Sequence, residues 1–149
     1  MREQVTVQFV KIHADAQAPT QGSKLAAGWD LRAIGETVVG TGASVKVKTG
    51  LKIAIPAGFE GQVRARSSLA AKGLILPNAP GTIDADYRGE LMVLLTWIGE
   101  GDSYTIPQGE RVAQLVISPV PLVEFIEVDE AVLGDTERGE GGFGSTGRF

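Results

Sequence analysis

Ser44-Val-Lys-Val-Lys-Thr-Gly-Leu-Lys-Ile-Ala-Ile-Pro-Ala-Gly58 is the stretch on which the fold turns. Valines alternate with lysines as far as Lys48, and Leu51-Lys-Ile-Ala-Ile55 resumes the alternation before Pro56-Ala-Gly58 ends it. Side chains on a strand point alternately to opposite faces, so both halves predict half-buried strands. Upstream, Val5-Thr-Val7-Gln-Phe9 repeats the pattern. Downstream, Leu91-Met-Val-Leu-Leu-Thr-Trp-Ile98 is apolar on both faces, which predicts a strand covered on both sides, by a sandwich core or a subunit interface. Twenty glycines and seven prolines interrupt the chain too often for long helices. The one helix expected runs from Ser67 to Lys72, with Ser67 or Ser68 as its cap and Leu-Ala-Ala following. After Pro119 and Pro121, Leu122 to Val128 predicts a last strand, and Asp129 to Glu137 is acidic and irregular. The sequence therefore predicts an all-β fold, a distorted jelly-roll sandwich or barrel with one short helix and a mobile glycine-rich C-terminal arm. Residues 1–137 are expected to form the β domain, and residues 138–149 a lid segment belonging to it.

Composition narrows the function classes. A chain of 149 residues suits one domain. There is no long apolar run for a membrane span, and Met1-Arg2-Glu3-Gln4 leads into an alternating segment, so a soluble, cytoplasmic protein is expected. No cysteine is present, which removes disulfides and thiolate chemistry, and the single histidine, His13, is expected on the surface near the end of the first strand. With a net charge of −4 the chain lacks the basic field that draws nucleic-acid backbones, while a small phosphorylated ligand bringing its own cation remains compatible.

The C-terminal Arg138-Gly-Glu-Gly-Gly-Phe-Gly-Ser-Thr-Gly-Arg-Phe149 nearly contains two phosphate-binding motifs. Gly139-x-Gly141-x-x-Gly144 satisfies the dinucleotide spacing, but no helix and no distant acid can follow it in five residues. Gly139-x-x-x-x-Gly144-Ser145-Thr146 likewise lacks the P-loop lysine. What remains is glycine-freed backbone amides, two arginines, two hydroxyls and two rings; as a site it can bind phosphate and stack a base, and as a terminus it is simply permissive.

Four other segments carry chemistry. Gln62-Val-Arg-Ala-Arg66 places Gln62, Arg64 and Arg66 on one face and runs into the Ser67 helix start, an arrangement suited to an anion or to an ordinary capped surface strand. Pro77-Asn-Ala-Pro80 predicts a tight hairpin ahead of Gly81-Thr-Ile-Asp-Ala-Asp-Tyr-Arg-Gly-Glu90, in which Asp84 and Asp86 share a strand face. A carboxylate there can orient or deprotonate a water beside a phosphate, or can cap a turn. In Ala27-Gly-Trp-Asp30-Leu-Arg-Ala33 the acid lies among apolar residues and needs an arginine, a backbone cap or a metal-bound water. Gln114, inside the apolar Gly109-Glu-Arg-Val-Ala-Gln-Leu-Val-Ile117, needs a hydrogen-bond partner for its amide.

Together and in this order, the segments at Ala27–Leu31, Arg66–Ala70, Gly81–Glu90, Gly109–Gln114 and Arg138–Gly147 resemble the five motifs of the trimeric deoxyuridine triphosphatase (dUTPase) family. The resemblance implies Mg²⁺-dependent hydrolysis of dUTP to dUMP and pyrophosphate by water attack at the α-phosphorus, limiting dUTP and supplying dUMP for thymidylate synthesis. It implies that Asp84 activates the water and that Asp30 holds Mg²⁺ through water. Arg66, Ser67, Ser68 and Gln114 correspond to phosphate contacts. Asn78, Thr82, Ile83, Asp84 and Met92 correspond to the uracil pocket, Tyr87 to the ring against the deoxyribose, and Arg138, Phe143, Gly144, Ser145 and Thr146 to a lid over base and γ-phosphate. It further implies a homotrimer with sites between subunits, the tail reaching a neighbour's site, disordered when empty and ordered by nucleotide. Trp29 and Ser68 depart from the usual family residues without removing a chemical group. Two rivals remain: a dCTP deaminase of the same fold, which needs a glutamate where Leu94 stands, and a non-catalytic nucleotide-binding trimer.

Overall fold

The computed structural model describes residues 2–149; Met1, at the head of the expected 1–137 domain, lies outside the described residues. The elements are β1 Gln8–Lys11, β2 Trp29–Arg32, β3 Thr37–Gly40, β4 Ser44–Ala54, β5 Phe59–Arg64, α1 Ser67–Ala70, β6 Leu74–Ile75, β7 Gly81–Ile83, β8 Glu90–Trp97, β9 Ser103–Ile106 and β10 Arg111–Pro119. Two four-stranded sheets, ordered β1-β4-β8-β6 and β2-β10-β5-β7, pack around one core, with β3 and β9 as a separate ribbon. The named strands all pair antiparallel. The jelly-roll expectation is met.

Alternation builds the core. Val47 and Ile53 from β4 and Leu91, Val93 and Leu95 from β8 meet Leu31, Val63, Ala113 and Leu115 from the other sheet. Thr49 is the buried polar residue of this core, and its hydroxyl donates to the Leu91 carbonyl while accepting from the Leu51 amide, so its burial leaves no orphan group. Between Lys48 and Lys52 the β4–β8 register shifts, and Gly50 there takes φ 69°, a left-handed conformation that favours glycine.

Several expectations are corrected. β1 starts at Gln8, so Val5 and Val7 alternate but lie outside the ladder. Met92, Leu94 and Thr96, the second face of β8, are half-buried within the single chain, so its own core covers only the face of Leu91, Val93 and Leu95. The helix is a single turn, Ser67–Ala70, with Arg66 at its N-cap and no side-chain cap bond. Leu69 pins it to the core, but so few aligned peptides sum to little dipole, which weakens the anion site expected at its start. Pro77–Pro80 is not a hairpin: β6 pairs with β8 in one sheet and β7 with β5 in the other, so the segment crosses between sheets. Leu122–Val128 forms no strand, because its backbone finds no ladder partner in its own chain. The Val120 amide still donates to the Gly58 carbonyl at 2.8 Å, and beyond it the chain is largely exposed, with Leu122 and Phe125 almost fully so. Among the described residues, no helix is long and apolar enough to cross a membrane.

Candidate active site

Asp30 lies opposite Gln114, and Gln114 lies opposite Arg64, so three neighbouring strands present these residues on one face. The Asp30 carboxylate is only 18% exposed. Two guanidiniums resolve its need for a partner: Arg66 Nε is 3.9 Å from Oδ1 and Arg111 Nη1 is 3.5 Å from Oδ2. Arg66 also donates through Nη1 to the Arg111 carbonyl at 3.0 Å, tying the end of β5 to the start of β10. Gln114 donates from Nε2 to the Ala65 carbonyl at 3.2 Å, the partner its position demanded. Room for that amide exists because Gly28 has no side chain; a Cβ there would lie 3.0 Å from Gln114 Cδ and nearer still to Oε1. Ser67 and Ser68 are exposed on the turn that follows Arg66. Arg64 is held away by Gln62, whose Oε1 accepts from its Nε and Nη2. This is a cationic face with one carboxylate at its centre, suited to a polyphosphate.

A second cluster lines a cavity of about 290 Å³ that gathers Asn78, Thr82, Ile83, Asp84, Tyr87 and Met92. Asp84 follows β7 directly and is exposed; its carbonyl accepts from the Tyr87 amide at 3.1 Å, closing a turn. Asp86 lies inside that turn, so the strand face expected to hold both acids does not exist. The Tyr87 hydroxyl donates to the Glu90 carbonyl at 2.9 Å, and the ring lies against Gly89, where a Cβ would come within 2.7 Å of Cζ. Lys46 and Glu90, which the sequence reading did not single out, also line the cavity, as does Leu94, the residue that stands where a deaminase of this fold needs a glutamate.

The two clusters are separate in one chain: Asp30, Arg66, Arg111 and Gln114 do not line the cavity that holds Asp84. The tail residues Arg138, Phe143, Gly144, Ser145 and Thr146 join neither. Arg138 Nε donates to the Gly141 carbonyl at 2.7 Å, and Phe143, at φ 51°, is fully exposed. Among the described residues no group of three or more His, Cys, Asp or Glu is placed to hold a metal. Arg111 is the residue that sequence reading missed. Simple alternation puts it on the face opposite Gln114, and only the register shift in β10 brings it to Asp30.

The molecule resembles known proteins along nearly its whole length. It is 48% identical over 146 residues to the deoxyuridine 5'-triphosphate nucleotidohydrolase of Syntrophotalea carbinolica, covering 96% of this chain and 97% of that protein. It is 50% identical over 132 residues to the enzyme of the same name from Anaplasma marginale, covering 87% and 88%. Among solved structures, the Staphylococcus bacteriophage 80alpha dUTPase with dUpNHpp superposes with a TM-score of 0.84 at 30% identity, over 96% of this chain and 99% of that one. The dUTPase of phage phi11 of S. aureus, described as coordinating a structural Mg(II) ion, gives 0.76 at 25% identity over 84% and 97%. The profile of the dUTPase family matches residues 14–147, and the chain belongs to that family.

Proposed function

We propose that this protein hydrolyses dUTP to dUMP and pyrophosphate in the cytoplasm, by attack of water on the α-phosphorus, and that it requires Mg²⁺. The observation that carries the reading is the pairing of a base-sized cavity bearing Asp84 with an arginine face centred on Asp30. Asp84, exposed at the end of β7, is free to take a proton from an attacking water. Arg66, Gln114 and the exposed Ser67 and Ser68 receive the phosphates. Asn78 and the Thr82–Asp84 backbone read the uracil edge, with Met92 beside them and Tyr87 under the sugar. A rigid backbone is needed there, since bulk alone separates uracil from its methylated analogue by only about 1–3 kcal/mol. A single half-buried carboxylate cannot cage a cation, so the donor set fits Mg²⁺ carried by the phosphates and reached by Asp30 through water. When bound, the ion neutralises phosphate charge and stabilises the leaving pyrophosphate.

The working form is a homotrimer in this reading, with residues 1–137 as the body and residues 138–149 as a lid over a neighbour's site. Two features support it. The halves of the site lie apart in one chain. The arm beyond Pro119 exposes Leu122, Phe125 and Phe143, while a cavity of about 590 Å³ lined by Val5, Val7, Phe9, Trp29, Leu115 and Ile117 stands open on the body. Release of pyrophosphate measured across dUTP, dTTP, dCTP and UTP with Mg²⁺ tests the function. Turnover confined to dUTP is expected; ammonia released from dCTP, or dUTP binding without turnover, would overturn it.

A further inference from the structure

We infer that Arg111 is a positioning residue that sets the Asp30 carboxylate for the metal-bearing polyphosphate, and that a β-bulge exists to bring it there. The inference rests on the function proposed above. In β10, Arg111 lies opposite Arg32 and Gln114 opposite Asp30, with the register shifting between Arg111 and Ala113. Asp30 and Arg32 are two apart on β2 and share a face, so Arg111 and Gln114, three apart, must share it too. Only an extra residue in the ladder allows this, and bulges of this kind re-aim side chains beside active sites. Val112 and Ala113 both turn inward, being 1% and 0% exposed.

The re-aimed guanidinium reaches Asp30 Oδ2 at 3.5 Å, closer than Arg66 comes to Oδ1 at 3.9 Å. Arg32 does not compete, since its Nη1 donates to the Gly109 carbonyl at 2.9 Å. Among the described contacts, Arg66 and Arg111 are the only side chains that meet the Asp30 carboxylate. Arg66 is also the cation best placed for the phosphates, through the exposed serine turn beside it. Once a phosphate recruits Arg66, Arg111 is the partner left to hold the carboxylate in place.

Calorimetric binding of the non-hydrolysable analogue dUpNHpp, in Mg²⁺ and in EDTA, separates positioning from direct phosphate contact. For the parent protein Mg²⁺ tightens binding. In Arg111→Ala that Mg²⁺-dependent gain shrinks by about 10–100-fold while affinity in EDTA stays near the parent's, the range expected when an outer partner of a metal-directed carboxylate is removed. Arg111→Lys, which keeps the charge but not the planar fork, regains part of the gain and serves if the alanine variant folds poorly. An unchanged Mg²⁺ gain in Arg111→Ala overturns the inference, as does an equal loss in both buffers, which makes Arg111 a direct phosphate contact. A parent protein that binds no analogue at all would instead remove the functional reading on which the inference depends.

Discussion

Replacing Gly28 with alanine should destabilise the protein, although the substitution at an ordinary site does the reverse. Gly28 is not among the glycines with positive φ, so alanine can adopt its backbone, and loss of chain entropy in the unfolded state alone would stabilise by about 0.4–1 kcal/mol. The new methyl group, however, would lie 3.0 Å from Gln114 Cδ and 3.1 Å from its Cβ, with Oε1 nearer still. The amide must rotate off, breaking its 3.2 Å bond to the Ala65 carbonyl. A lost hydrogen bond costs about 1 kcal/mol, and part-buried groups left without partners raise this to about 1–3 kcal/mol. The net expectation is a loss of about 1–2 kcal/mol, each kcal/mol lowering Tm by roughly 2–4 °C for a chain of this size. Calorimetric scans at one fixed protein concentration measure it, since Tm depends on concentration for any protein that assembles. A double-mutant cycle gives the sharper reading. In a Gln114→Ala background the amide is already gone and only the Cβ contact at 3.1 Å remains, so adding Gly28→Ala should cost almost nothing. Strict additivity, or a rise in Tm for Gly28→Ala alone, would refute the steric reasoning.

Asp84→Asn should bind dUTP with near-parent affinity and hydrolyse it more slowly by orders of magnitude; near-parent turnover in a pyrophosphate assay would remove Asp84 from the proton transfer. Truncation after Glu137 should leave circular dichroism and Tm intact while abolishing most turnover, because residues 138–149 contribute nothing to the core. Phe125→Asp should shift sedimentation toward single chains, the exposed ring being the arm's largest apolar group before Phe143. Burial, then the hydrogen bond and charge of Glu110 at 2.8 Å, raise the Tyr104 phenol above its usual 10.0. The unfolded chain then gives up this proton first, so stability is intact below pH 10 and falls as pH climbs from there through the folded value. Tyr104→Phe should abolish that part of the alkaline loss, read as the difference in pH-dependent Tm between the two proteins.

Much of the body was legible because alternation is a local signal. β4 buries the face its valine pattern names, while β8, apolar on both faces, buries Leu91, Val93 and Leu95 fully and the other face by half. Gln114 also behaved as its surroundings required, finding one acceptor. Three things were not local. The 122–128 segment has strand composition, but a strand needs a second edge, and its own chain offers none. Asp84 and Asp86 alternate correctly, yet the ladder ends at Ile83 and a turn takes over, so spacing lost its meaning one residue too early. Asp30 was known to need a partner, but Arg66 and Arg111 come from 36 and 81 residues further on, and no short-range pattern reports such contacts. Physical pattern alone left the residue roles open, and the resemblance to a known family implies them.

The extra residue at Val112 also divides β10 by parity. From Gln114 onward the even-numbered residues look out over the arginine face; before it, the odd-numbered Arg111 does. Substitutions cannot change that count, but a one-residue deletion can. Were all the residues of β10 to pair without the bulge, strict alternation would leave a choice of two errors: Arg111 turned into the apolar core, or Gln114 with everything after it turned inside out; removing Val112 would instead leave Arg111 and Gln114 two apart and still on one face. An unpaired guanidinium among Leu31, Ala33 and Leu115 costs several kcal/mol. Val112, the extra residue, has no polar chemistry of its own, yet its place in the ladder is what lets Arg111 and Gln114, three apart, look out over the same face.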